Sequence, residues 1–204
     1  MVHLNGNLLC AVDVETTGIT PGYNELIQVA ILPLDGNIKP LKTVSPFYIN
    51  ITPEHLDRVD YKALKVTKLT LAQLVNNSMD KWKAADLFDE WFEALDLPMT
   101  TNHHKKIQPL WSNGGFDKSF LIEWLGKEHY EHYFHFHERD TQAVALAMND
   151  RADHHCEKLP FPKVGLNYLA SCFDIVNHNA HDALSDCVTT AEVYRRLLTM
   201  WVPV

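Results

Sequence analysis

No stretch of this sequence approaches the roughly 18 consecutive apolar residues that a helix needs to cross a bilayer. Its first residues, Met1 to Asn7, also lack the basic-then-apolar order of a secretory leader. Both absences argue against membrane insertion, and the expected location is the cytoplasm. There is no C-x-x-C pair: Cys10, Cys156, Cys172 and Cys187 lie far apart, which reads as small buried thiols in a reducing compartment. Histidines are plentiful, grouped at His129, His132, His135 and His137 and again at His154 and His155 beside Cys156, but the spacings match no standard zinc-ligand pattern. Basic charge is scarce as well. Eighteen Lys and Arg face 26 Asp and Glu, and the net charge of −8 counts against tight, non-specific binding to duplex nucleic acid. Internal repeats and linker-like stretches are also missing, so residues 1–204 are expected to form one domain.

What is present reads as an α/β domain. Leu8 to Val14 is an apolar run that ends in acids, the pattern of a buried central strand. Leu26 to Leu34 predicts a second strand closed by the turn signal Asp35–Gly36, and Thr43 to Ile51 a third, with Pro46 marking an edge or a bulge. Further on, apolar spacings of three and four predict helices over Met79–Leu95 and Phe116–Leu125, and a long one from Asp182 to Trp201. A short strand is expected at Tyr133–His137, with Phe134 and Phe136 on one side. Two more helices are expected, Asp140–Met148 with Asp140 as N-cap, and Gly165–Phe173. Three strands followed by mixed helices and short strands indicate a mixed central sheet flanked by helices.

Three separated segments carry acids in suggestive positions. Asp13-Val14-Glu15-Thr16-Thr17-Gly18 ends the first strand, and because alternate strand residues share a face, Asp13 and Glu15 stand side by side. Two like charges so placed are costly unless a cation lies between them. Asn113-Gly114-Gly115-Phe116-Asp117 opens a helix, where an acid is also favoured by the helix dipole. His181-Asp182-Ala183-Leu184-Ser185-Asp186 puts another acid one turn into the last helix, behind a histidine and a small Ala183 that lets the helix approach the sheet.

In this order and at these separations the segments resemble the D-x-E-T-T-G, N-x-x-F-D and H-x-A-x-x-D motifs of the DnaQ-like 3′→5′ exonucleases, DEDDh subgroup. The resemblance spans about Leu8 to Leu198. It implies a ribonuclease-H-like fold, with antiparallel N-terminal strands plus parallel ones, and two divalent cations, Mg²⁺ or Mn²⁺. Such ions, about 3.5–4 Å apart, generate the attacking hydroxide and clamp both oxygens of a phosphodiester. Four carboxylates balance their charge, and oxygen ligands suit such hard ions.

By the same resemblance Asp13, Glu15 and Asp186 hold the ion beside the attacking water, Asp13 bridges to the second, and Asp117 serves that one. His181 is the implied general base, an imidazole being suited to proton transfer near neutrality. His178 lacks the A-x-x-D continuation. The tyrosine subgroup is excluded because Asp182 stands four residues before the last acid. Thr16, Thr17, Gly18, Leu26, Asn113 and Phe116 are the implied contacts to the 3′-terminal nucleotide. One departure stands out: many members have His-Gly where this chain has Thr67-Lys68.

The implied substrate is a nucleic-acid 3′ end, single-stranded DNA first, with RNA as the alternative. A non-catalytic module that binds such an end is the rival from another class, although all four acids and the histidine are in place. Protein partners and pathway are left open.

Overall fold

The computed structural model describes residues 6–68, 70–97 and 106–200. Its centre is β1 (Leu8–Thr16), an apolar run buried on both faces. β2 (Leu26–Pro33) pairs antiparallel with β1, and β3 (Phe47–Asn50) antiparallel with β2. On the other side β4 (Ile107–Trp111) runs parallel to β1, followed by the two-residue β5 (Arg139–Asp140) parallel to β4. The order is β3-β2-β1-β4-β5, a mixed sheet of three antiparallel and two added parallel strands. β3 is shorter than the expected Thr43–Ile51 and begins only after Pro46, at the sheet edge where a missing N–H costs least. The Asp35–Gly36 signal does make a turn, with Ile38 N donating to Asp35 O at 3.0 Å, but the connection to β3 is a wide loop rather than a tight hairpin.

Strand alternation divides the core. Cys10, Val12 and Val14 of β1 face a layer with Ala84, Phe88 and Phe92 of α3 (Lys81–Glu93) and Phe120, Leu121 and Leu125 of α4 (Gly114–Leu125). Leu9 and Ala11 face α8 (Ala183–Met200), which presents Ala183, Cys187, Ala191 and Tyr194. Its small side chains bring the helix close enough for the Cys187 thiol to donate to Ala30 O at 3.5 Å. A third cluster, centred on Ala145, Leu169 and Val193, packs α6 (Thr141–His154) and α7 (Leu166–Cys172) on the outer side of α8.

Three helices have no counterpart in the sequence reading. α1 (Tyr61–Thr67) is capped by Asp60, and α2 (Leu71–Asn76) by a reciprocal Thr70–Gln73 capping box, a signal that was there to read. α5 (Lys127–Tyr133) takes in Tyr133, and the strand expected at Tyr133–His137 does not form. There Tyr130 and Tyr133 are spaced for a helix and enter the aromatic core; Phe134 is buried and makes one bridge to Ile107, while Phe136 is 76% exposed. The thiols also divide: Cys10 and Cys187 are buried, whereas Cys156 and Cys172 are exposed rather than buried as expected.

Phe88 is the hub of the larger core, fully buried, with ring neighbours Phe47 at 5.4 Å and Tyr133 at 5.0 Å. Phe88→Ala should cost about 3–5 kcal/mol in a denaturant titration, the usual range for emptying such a site. A loss of under about 1 kcal/mol would mean that the cluster is not packed as described.

Candidate active site

The three motifs meet at the carboxyl end of β1. Asp13 and Glu15 lie on the α8 face of that strand, continuing the alternation of Leu9 and Ala11. Asp117, in the first turn of α4, reaches back so that its Oδ1 accepts from Val14 N at 3.0 Å, joining the second motif to the first across 103 residues. The start of α4 is fixed by close packing. Asn113 takes a left-handed conformation (φ 76°), and a Cβ on Gly114 would fall 2.3 Å from the Trp111 ring, so only glycine fits there. Asp140 holds the same turn from outside: its Oδ2 accepts from Gly114 N at 2.8 Å and its Oδ1 from Gln142 N at 2.7 Å, so one carboxylate caps α6 and steadies α4.

The third motif is held with similar care. The amide of Gln28, on β2, accepts from Ala183 N at 2.7 Å and donates to Tyr48 Oη and Asn50 Oδ1. Tyr48 Oη in turn donates to Asp182 Oδ2 at 2.6 Å, and Asp182 Oδ1 accepts from Ser185 N. This network anchors the first turn of α8 to the sheet. Asp186 accepts from Asn177 Nδ2 at 2.5 Å and from His181 N at 3.1 Å, and His181 is left-handed (φ 68°).

Asp13, Glu15, Asp117, His181 and Asp186 all line one cavity of about 420 Å³, together with Asn113, Phe116, Ser112, Gln142 and Gly165–Tyr168. The lining contains neither lysine nor arginine. Burial, and then the neighbouring acids, push Asp13 well above the usual carboxylate range and Glu15 up to about 8. Burial takes Asp117 up to about 7 against the pull of the Val14 N–H, and raises Asp186 despite its hydrogen bonds to Asn177 and His181.

Such a group of acids ionises together only beside a cation. Ligand-capable atoms of Glu15, His181 and Asp186 lie within 4.8 Å of one another, the one cluster of this kind among the described residues. The grouped histidines at 129–137 and at 154–155 with Cys156 form no such cluster there.

The remaining expected contacts are placed differently. Thr16 and Thr17 are buried and their hydroxyls are used internally: Thr16 Oγ1 donates to Gly18 O at 2.6 Å, and Thr17 Oγ1 accepts from Glu25 N at 2.8 Å. A Cβ on Gly18 would come within 2.4 Å of Asn24, which explains the glycine. Leu26 is only 6% exposed and lines a separate groove with Phe120 and Trp124, away from the acids. Ile19, directly after Gly18 and 81% exposed, is the apolar side chain standing free beside the motif. It went unread because a single isoleucine among turn residues carries no period. His178 is exposed and does not line the cavity.

A mixed sheet of ribonuclease-H type with D-x-E, N-x-x-F-D and H-x-A-x-x-D converging on one acidic cavity defines a 3′→5′ exonuclease of the DnaQ-like, DEDDh class. The chain belongs to the exonuclease (RNase T) family, whose pattern it matches over residues 10–194. The family implies divalent metal ions. Among relatives, the oligoribonuclease of Neisseria meningitidis serogroup C is 25% identical over 144 residues, covering 68% of this chain and 71% of that one. Ribonuclease T of Wigglesworthia glossinidia brevipalpis is 25% identical over 195 residues, covering 93% and 84%. In fold, a zinc-bound complex of E. coli exonuclease I with single-stranded DNA is similar with a TM-score of 0.72 at 17% identity, covering 97% of this chain and 41% of that one.

The raised carboxyls have a measurable consequence. Between the ordinary carboxylate range near 4 and the folded value near 8, the folded protein holds protons that the unfolded chain has released. Stability in EDTA should therefore be fullest below that range and fall as pH rises through it. Mg²⁺ or Mn²⁺ should restore the melting temperature more at pH 8 than at pH 5.5, and Glu15→Gln should flatten the EDTA profile. A flat wild-type profile in EDTA, or an unaltered slope in Glu15→Gln, would sink this account of the site.

Proposed function

We propose that this chain is a single domain that removes nucleotides one at a time, as 5′-monophosphates, from the 3′ end of single-stranded RNA, using two divalent cations, Mg²⁺ or Mn²⁺. The observation that carries this reading is the convergence of four desolvated carboxyl groups and a histidine on a cavity whose lining has no lysine or arginine.

RNA is put first because both sequence relatives named above are ribonucleases by name. Single-stranded DNA, the first choice from the sequence alone, is the second reading, favoured by the likeness of fold to exonuclease I bound to such a strand. Ions read phosphate rather than sugar, so contacts at the 2′ position decide between the two.

In this reading Asp13, Glu15, Asp117 and Asp186 would hold the two ions between them, with Asp117 kept in place by the Val14 N–H. Bound there, the cations supply an activated water and offset the charge on the phosphate and the leaving 3′ oxygen. His181 accepts the proton of the attacking water. Its backbone N–H is tied to Asp186, so the base and a ligand share one rigid turn. Phe116 and Asn113, on the cavity wall, meet the terminal nucleoside, and stacking on an aromatic ring is worth about 1–3 kcal/mol whatever the base. Ile19 offers an apolar face on the other side of Gly18, the role that Leu26 is too buried to fill.

Matched 5′-labelled RNA and DNA strands, digested with Mg²⁺ and with Mn²⁺, test direction and sugar preference together. The expected result is a ladder shortened from the 3′ end, faster on RNA, abolished by EDTA and slowed by a 3′-phosphate. Loss of the 5′ label in the first cleavage would overturn the direction, and faster loss of DNA would reverse the order of the two readings.

Substitutions separate the roles. Asp13→Ala should leave no turnover in a folded protein. His181→Ala should be slower by about 10²–10⁴-fold, the usual contribution of a general base, while still binding cations. A His181→Ala protein with the wild-type rate, or a more damaging His178→Ala, would remove His181 from the role.

A further inference from the structure

α1 bridges two of the motifs along the rim of the site. At its start, Asp60 N donates to Thr17 O at 2.7 Å, fastening the helix to the first motif, and the Asp60 carboxylate caps it through Lys62 N at 2.8 Å. At its end, Lys68 Nζ donates to Ala180 O at 3.4 Å, on the residue before His181. Leu64 and Thr67 are buried, while Lys62, Lys65 and Lys68 recur every third residue and are all exposed.

No acid lies between Tyr61 and Lys68. Lys81, Lys118 and Lys127 are each paired with a glutamate, but among the described residues neither Lys62, Lys65 nor Lys68 takes part in an ion pair. The nearest acids in sequence are Asp57 and Asp60, the latter engaged in the cap. A protein of net charge −8 thus keeps three unpaired cations in one row, beside a cavity that has no lysine or arginine of its own. Lys68 is also left-handed (φ 59°, ψ 15°), a conformation that glycine adopts without cost and lysine does not. Its one long bond to a neutral carbonyl is a weak hold that a phosphate oxygen would replace with an ion-paired one. At the start of the row the exposed ring of Tyr61 offers a stacking face for a base.

We propose that the Lys62–Lys65–Lys68 row grips the phosphate backbone of the substrate strand while its 3′ end occupies the acidic cavity, with Lys68 on the phosphate nearest the cut. The proposal rests on the nuclease reading above and adds to it the path of the strand. The cavity needs added cations to accept any phosphate, and the row supplies fixed positive charge for the nucleotides upstream.

The test compares wild type with the triple variant Lys62→Gln/Lys65→Gln/Lys68→Gln on a long strand and on a dinucleotide, across a salt series. The triple variant should raise KM for the long strand about tenfold or more, and lower the slope of log KM against log salt by about 2, at roughly 0.7 per lost phosphate contact on a single strand. The loss on the dinucleotide should be distinctly smaller. Equal losses at both lengths, or an unaltered salt slope, would overturn the proposal.

Lys68→Gly guards against a folding artefact. It releases the left-handed strain, so it should melt no lower than wild type and yet bind the long strand several-fold more weakly, whereas Lys68→Arg should keep the affinity. A Lys68→Gly protein that binds like wild type would remove Lys68 from the row. Digestion by the wild-type protein in the same assay reports separately on the nuclease reading.

Discussion

Four carboxyl groups share a desolvated space in which no lysine or arginine offsets them, and the architecture around the end of β1 is organised to keep them there. Left to themselves they would separate or take up protons, and burial pushes them toward the second course. What prevents separation is backbone. Asp13 and Glu15 sit on the central strand of the sheet, Asp117 is hydrogen-bonded to that same strand, and Asp186 lies on a helix whose small-residue face is pressed against it. The backbone thus keeps together a set of acids that protons neutralise at low pH and that the divalent ions implied by the family would neutralise near neutrality.

The hydrogen bonds around the acids follow from this. Gln28, Tyr48 and Asp182 tie the start of α8 to the sheet, and Asn177 with the His181 N–H satisfies the oxygens of Asp186. Each bond is modest in net terms, about 0.5–1.5 kcal/mol, yet together they hold the carboxylates in register before any ligand arrives. Preorganisation of this kind is what a site for phosphoryl chemistry requires, because little covalent work falls to the protein.

The parts of this design that were legible in the sequence are those whose signal is local. The apolar run into Asp13-Val14-Glu15 announces a buried strand, the spacing of three and four announces α3, α4 and α8, and Asp140 announces itself as a cap. The gathering of Asp13, Asp117, His181 and Asp186 on one cavity followed from family resemblance, since nothing local brings residues more than 100 positions apart together. What stayed hidden depended on tertiary context. Gln28 reads as an interruption in an apolar strand until α8 is laid across it. Tyr133 to His137 alternates well enough to suggest a strand, and only the aromatic core around Phe88 draws Tyr133 into the end of a helix and Phe134 into its exit. The family resemblance assigns Leu26 to substrate, but its side chain points to the opposite side of the sheet from Asp13 and Glu15.

Asp140 is a shared joint between two helices. It touches none of the acids, yet its two oxygens hold the first turn of α4, which carries Asn113, Phe116 and Asp117, and the first turn of α6, which carries Gln142. Two walls of the cavity are thereby pinned to a single side chain. The opposite wall, formed by Gly165–Tyr168 and the turn ahead of α8, hangs on separate anchors. Loss of the Asp140 carboxylate would therefore free both the wall that carries the aromatic ring and the start of α6 at once, and leave the histidine wall on its own anchors.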